Sequence, residues 1–190
     1  MMRITGGKAR GIPLLAPKGN SVRPATDSMR QAVFSSISAR VPGSRFFDLF
    51  AGSGAYGLEA LSRGAVGGVW VEKNNKAIEC LRQNLAAVTK SLGGGMENTA
   101  VVTADAVLAP WPLGGLPDLV FIDPPYDMIE DVAPRIFTRL TELLDSRPDP
   151  LVIFEMPGEI SLNPHGWNCA KRLGKGSHQP SVCLFSRTAT

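Results

Sequence analysis

The chain has 190 residues, 44% hydrophobic and 19% charged, with a formal net charge of +3. That is enough for one domain with a sizeable core and a short appendage, in the ordinary composition range of soluble globular proteins. No apolar run reaches membrane-spanning length, and MMRITGGKAR lacks the apolar segment of a secretory signal, so a soluble cytoplasmic monomer is expected. Cys80, Cys169 and Cys183 are odd in number and widely spaced, as free thiols in a reducing compartment would be. His165 and His178 are isolated, so no metal is expected. The charge is unevenly spread. Residues 1–30 carry six basic residues against Asp27 alone, and residues 165–190 carry four against none. An acidic body with basic ends suggests that the ends meet a polyanion.

Residues 1–25 are short apolar pieces broken by Gly6, Gly7, Gly11, Pro13 and Pro17, which predicts a hairpin or extended arm ahead of a domain over 26–190. Thr26 or Asp27 is a candidate N-cap for a helix with Met29, Val33, Phe34 and Ile37 on one face and Arg30 pointing away from it. From Arg45 strands and helices alternate. Strands are predicted over 46–50, 68–72, 100–103, 117–123 and 151–155, and helices over 55–62, 75–88 and 128–144. Pro134 should break or kink the last of these. The Gly93-Gly94-Gly95 stretch reads as a flexible connection. Segments 167–173 and 181–186 read as a closing hairpin. Repeated βα units imply an α/β fold, a mostly parallel sheet covered by helices on both faces.

Ligands of such sheets bind beyond the carboxyl ends of the strands. After the first strand stands DLFAGSGAYG, residues 48–57, a formal match to G-x-G-x-x-G that alone also admits a nicotinamide oxidoreductase. Asp48 argues against that cofactor, because a carboxylate beside the glycine turn would repel a pyrophosphate. It suits the sulfonium and ammonium groups of S-adenosylmethionine, and Gly52 and Gly54 would let the backbone approach closely. Glu72 follows the second strand and can accept from ribose hydroxyls. Asp105, beside Ala106, follows the third and can accept from an adenine amine.

After the fourth strand comes FIDPPYD, residues 121–127. Proline cannot donate to a sheet ladder, so Pro124 and Pro125 end the strand and stiffen the loop beyond it. An exocyclic amine on a nucleobase is a weak nucleophile because its lone pair is delocalised. Asp123 and the Pro124 carbonyl can accept its two N–H bonds and localise that pair, while Tyr126 stacks on the base. The base must then be unpaired or flipped out.

DLFAGSGAYGLEALSRGA, VEKN and FIDPPYD resemble the class I S-adenosylmethionine-dependent methyltransferases that act on amines. RITGGKARGIPLLAP and RPATDSMRQAVFSSI resemble, more narrowly, the RsmD family of 16S rRNA guanine-N2 methyltransferases, and the likeness runs from Arg3 to about Glu159. The resemblance implies a Rossmann-like sheet of seven strands with an N-terminal hairpin arm, and methylation of one guanine N2 in the small ribosomal subunit. It implies that Asp48, Phe50, Ala51, Gly52, Ser53 and Gly54 bind the cofactor, with Glu72 and Lys73 at the ribose and Asp105 and Ala106 at the adenine. Asp123, Pro124, Pro125 and Tyr126 would hold the guanine. Arg23, Thr26, Asp27 and Arg30 match the N-terminal signature and would meet cofactor or RNA. Lys8 and Arg10 match its basic arm, and Lys171, Arg172 and Lys175 complete the expected RNA surface. Ile12 and Pro13 depart from the family's basic tendency, and the tail GKGSHQPSVCLFS departs near its glycine. DNA adenine methylation is the alternative within this chemistry, although the short chain has no room for a target-recognition segment. A non-enzymatic RNA-binding module is a third reading.

Overall fold

A computed structural model describes residues 2–17, 27–94, 97–110, 115–174 and 176–188. Thr26, Arg23, Gly95 and Lys175 lie outside the described residues. The helices are α1 (Asp27–Ser36), α2 (Ala55–Ser62), α3 (Asn75–Leu92) and α4 (Ile129–Leu143). The strands are β1 (Arg45–Leu49), β2 (Gly67–Glu72), β3 (Thr99–Thr103), β4 (Leu119–Ile122), β5 (Leu151–Pro157), β6 (Trp167–Leu173) and β7 (Pro180–Arg187).

They form one seven-stranded sheet in the order β3-β2-β1-β4-β5-β7-β6, parallel through β5 and antiparallel for β6 and β7. Every residue of β4 and β5 is buried, which is why Leu119–Ile122 and residues 151–154 read as apolar runs. The strand order reverses between β1 and β4, so the crevice of this sheet opens there. One sheet face packs Phe46, Trp70 and Phe121 against Phe34 of α1 and the apolar sides of α2 and α3. The other packs Phe47, Ile122 and Phe154 against α4. No described helix is long and apolar enough to cross a membrane.

Three local outcomes differ from expectation. The fourth strand spans only Leu119–Ile122. α4 runs through Pro134 without ending. Pro134 forfeits the bond to the carbonyl of Glu130, an exposed first-turn residue that water can reach, while buried Ile129, Val132, Ala133, Ile136, Phe137 and Leu140 anchor one side of the helix. α3 continues to Leu92 and stops at Gly93, whose φ of 87° is the left-handed cap.

The N-terminal segment is a hairpin: Ile4 and Ile12 pair at 2.9 Å, as do Leu14 and Met2. It is fastened along its length. The amide of Lys8 donates to the Ser62 carbonyl, that of Ala9 to Ser62 Oγ, and that of Leu15 to Asn84 Oδ1. Ile4, Ala9 and Leu14 enter the core of the main sheet.

Candidate active site

Side chains alternate between sheet faces, and the register fixes which ones meet. Val71, Leu49, Ile122 and Phe154 lie in one row across β2, β1, β4 and β5. The residues next along are Glu72, Asp123 and Glu155, with Asp48 on the same side of β1, while Phe50, beyond the strand at a positive φ, packs toward the α4 side. Phe46, Trp70, Phe121 and Ile153 mark this as the face toward α1 and α2. Asp48, Glu72, Asp123 and Glu155 thus gather at the carboxyl ends of four adjacent strands, astride the reversal point.

The chain leaves β1 through Phe50 at φ 60°, a left-handed conformation unusual for a bulky residue and of the kind concentrated at functional sites. Gly52 follows at φ 53°, and a Cβ placed on it would meet nothing within 4 Å, so open space lies before the loop backbone. The Gly52 amide donates to Glu72 Oε2 at 2.8 Å. Glu72 Oε1 accepts from the amides of Lys73 and Asn74 at 2.9 and 2.7 Å. Glu72 therefore ties the glycine loop to the end of β2. Buried Asn84 donates to the Ser53 carbonyl at 3.0 Å and to the Leu15 carbonyl at 2.9 Å, joining loop, α3 and arm. Ser53 is buried, its Oγ 4.0 Å from Met2 Sδ.

Asp48 lies beneath this loop rather than displayed beside it. It is 2% exposed, and its carboxylate accepts from the Gly57 amide at 2.9 Å. Burial pushes its pKa up to about 8, against the lowering effect of the Gly57 bond and with a further push from Glu72. A nicotinamide pyrophosphate would need the amides at the start of α2, and the carboxylate already occupies one of them. Gly57 is required by packing: an added Cβ would lie 2.4 Å from Trp70 Nε1 and 2.5 Å from Phe46. The third glycine of GSGAYG thus lets α2 approach the sheet.

Asp123 follows β4 directly, its amide reaching the Leu49 carbonyl at 3.4 Å. Burial raises its pKa well above the usual carboxylate range, and the charges of Glu155 and Asp48 raise it further. Pro124 is buried and Pro125 exposed. Residues Tyr126–Met128 then form a single helical turn, closed by Met128 donating to the Pro125 carbonyl at 2.9 Å. Tyr126 stands 41% exposed beside the acid row, available as a stacking platform.

Other expected residues have different surroundings. Arg30 does not point away from its helix stripe; its side chain is fully buried. Its guanidinium meets Glu59 at 3.3 Å, Asp27 at 2.8 Å and the Arg3 carbonyl, which makes it a fastener of α1, α2 and the arm. The rule that a helix keeps charge outward fails here because Glu59, also fully buried, supplies the counter-charge. Arg172 is also turned inward, donating to Ser181 Oγ and to the carbonyls of Pro157 and Ile160, so it ties β6 to β7 and the loop after β5 instead of facing RNA. Lys73 pairs with Asp105 at 3.1 Å. Partial burial acts to raise the Asp105 pKa, but the Val107 amide and Lys73 outweigh it and the net shift is downward. Ala106 is buried. Lys8, Arg10 and Lys171 are exposed.

Sequence reasoning missed Glu155, Tyr56, Asn84 and Glu59. For Glu155 the signal was present: LVIFE places an acid at a strand end, as in the other three strands of the row. Tyr56 Oη donates to Glu155 Oε2 at 3.0 Å, and both are buried.

The comparisons agree with this geometry. The model of the family described as "Conserved hypothetical protein 95" matches residues 2–184. "Putative rRNA methyltransferase YlbH" of Bacillus subtilis is 32% identical over 161 residues, covering 85% of each chain. "Ribosomal RNA small subunit methyltransferase D" of Escherichia coli is 36% identical over 125 residues, which span 66% of this chain and 60% of that protein. The solved structure titled "Putative methyltransferase yhhF from Escherichia coli" superposes with a TM-score of 0.80 at 28% identity, covering 100% of this chain and 99% of that one. With the Rossmann-like class I sheet and the site at its reversal point, these matches show that the chain belongs to the "Conserved hypothetical protein 95" family, the RsmD family of methyltransferases.

Proposed function

We propose that this protein transfers a methyl group from S-adenosylmethionine to the exocyclic N2 amine of one guanine in 16S rRNA of the small ribosomal subunit. The observation that carries the reading is the DPPY loop, rooted at the end of β4 beside the glycine loop of β1. The site suits this cofactor. Open space lies before Gly52, and the surrounding side chains from β1, β2 and β4 are acids that favour a sulfonium and an ammonium group. When bound, the cofactor supplies an electrophilic methyl group.

The chain's own residues do the rest. Asp48 takes up negative charge when a cation approaches, which reverses the effect of its burial. Glu72 and Asp105 keep carboxylate lone pairs for hydroxyl and amine donors while they hold the loop backbones. Asp123 and the Pro124 carbonyl accept the two N–H bonds of the target amine, and the prolines keep these acceptors in place. Tyr126 stacks on the flipped base. Lys8, Arg10 and Lys171 supply exposed positive charge for RNA phosphates, and Arg23 and Lys175 extend that set. The relatives' names, with their ribosomal RNA substrates, support the choice of substrate.

The test supplies labelled S-adenosylmethionine and small ribosomal subunits from a strain lacking the modification, followed by nucleoside analysis. Label in N2-methylguanine is expected, and its absence would refute the reading. Asp123→Ala should abolish transfer while cofactor binding, followed by thermal shift, stays near wild type. Turnover at the wild-type rate would refute the role given to Asp123.

A further inference from the structure

Glu155 is a carboxylic acid 2% exposed at the end of β5, and the methyl transfer through Asp123 and the Pro124 carbonyl does not use it. Its surroundings are specific. Phe154 pairs with Ile122, so Glu155, the next residue of β5, and Asp123, the first residue after β4, follow matching positions on adjacent parallel strands. Both side chains project toward α1 and α2. Tyr56 reaches down from α2 and donates to Glu155 Oε2 at 3.0 Å. The Tyr56 ring is stacked on Phe121 at 5.2 Å, which fixes its position against the sheet. On the other side β7 presents Val182 opposite Glu155, with no charge. The charged and titratable groups facing Glu155 are therefore Arg30 from α1, Tyr56 from α2 and Asp123 from β4, with Asp48 of β1 beyond Asp123. Arg30 is committed to Glu59 and Asp27, and among the described residues Glu155 forms no ion pair.

We propose that Glu155 is a positioning residue for methyl transfer: held by Tyr56, it shares one proton with Asp123, and that proton decides when Asp123 can accept the target amine. The inference rests on the role given to Asp123 under the proposed function. Two neighbouring carboxyls, one buried and one half-buried, do not readily ionise together. Burial raises the pKa of both, and the Glu155 charge raises that of Asp123 further. Tyr56 is likewise pushed up, first by burial and then by both acids, so it remains a neutral donor.

The Tyr56 bond favours charged Glu155, so at rest the shared proton sits on Asp123; when it passes to Glu155, ionised Asp123 accepts an N–H of the amine. The nitrogen forms its bond to the methyl carbon as the carbon–sulfur bond breaks and leaves its electron pair on sulfur. The nitrogen now carries an extra proton, which passes to Asp123. The doubly protonated pair then releases one proton to water and is reset.

The experiment measures kcat against pH for the wild type, Glu155→Gln, Glu155→Asp and Asp123→Ala. Glutamine removes the neighbouring charge, so Asp123 ionises more readily and the acid limb of the profile should move down by about one pH unit or more. The KM for S-adenosylmethionine should stay within about twofold of wild type, because only an indirect partner of the amine has changed. Glu155→Asp keeps the charge and should hold the limb near its wild-type place. An unmoved limb in Glu155→Gln, with Asp123→Ala inactive, overturns this inference alone. An active Asp123→Ala overturns the role of Asp123 itself. A second readout needs neither substrate nor turnover. The infrared carbonyl band of protonated carboxyls at pH 7 should lose intensity in Asp123→Asn, while the Asp48 contribution to that band remains. An unchanged band refutes proton sharing even if Glu155→Gln does not fold.

Discussion

Removing Glu59 should damage the fold more than removing any acid of the substrate site. Its carboxylate is fully buried and accepts from the Thr5 amide and Thr5 hydroxyl at 2.8 Å each, from Arg63 Nε at 2.8 Å and from Arg30 Nε at 3.3 Å. Glu59→Ala leaves the Arg30 charge buried with Asp27 as its remaining counter-charge and the Arg3 carbonyl as a neutral acceptor, and breaking a buried pair from one side costs about 3–5 kcal/mol. Arg63 is partly exposed and can turn to water, so it adds little. Thr5 loses two acceptors at a part-buried position, which contributes about 1 kcal/mol more. The retained Asp27 contact offsets some of this, so a net loss of about 4 kcal/mol is expected, or roughly 8–16 °C in Tm for a domain of this size. Urea unfolding followed by circular dichroism measures it directly. The double variant Arg30→Met/Glu59→Leu removes both charges and should recover most of the loss. A single variant that loses less than about 1 kcal/mol would refute the argument, as would a double variant no more stable than the single.

Two further outcomes are expected. Asp48 binds a proton in the folded chain up to about pH 8, whereas the unfolded chain releases it near pH 4, so wild-type stability falls as pH rises through that window. Asp48→Asn keeps an acceptor for the Gly57 amide without titrating, so its stability relative to wild type should grow from pH 5 to pH 8, and parallel curves would contradict this. Tyr126→Ala should lower kcat/KM for RNA by about 5- to 150-fold, matching a stacking energy of about 1–3 kcal/mol, with little change in Tm because the ring is half exposed; an unchanged kcat/KM would remove Tyr126 from the site.

The parallel sheet was legible because its strands are buried on both faces, and β-branched and aromatic runs separated by helical periodicity leave few other arrangements. The acids at strand ends were legible for the same reason, since strand ends are where such folds bind ligands. What the glycine loop does with them was not. Asp48 and Glu72 were expected to face a ligand, and the structure shows them also accepting from the amides of Gly57 in α2 and Gly52 in the loop, pairings set by tertiary approach and not by spacing. Arg30 and Glu59 are 29 residues apart in the chain, and local periodicity cannot report that one buried charge has found another. Arg172 was misplaced for the same reason: its basic character was visible, but its carbonyl partners on the β5 side were not. Pro134 shows the opposite error, a strong local signal overridden by the buried stripe of α4.

The acid row at the sheet's carboxyl edge has an electrostatic consequence for an RNA partner. A polynucleotide carries its charge on its backbone, while its bases are neutral. In the proposed reaction Glu72 and the single charge shared by Asp123 and Glu155 make the crevice repel phosphates, whereas exposed Lys8 and Arg10 on the hairpin attract them. The protein thus sorts the two halves of a nucleotide by sign. A base can enter while its phosphates are held outside, and a strand lying flat along the mouth is turned away before any hydrogen bond is tested.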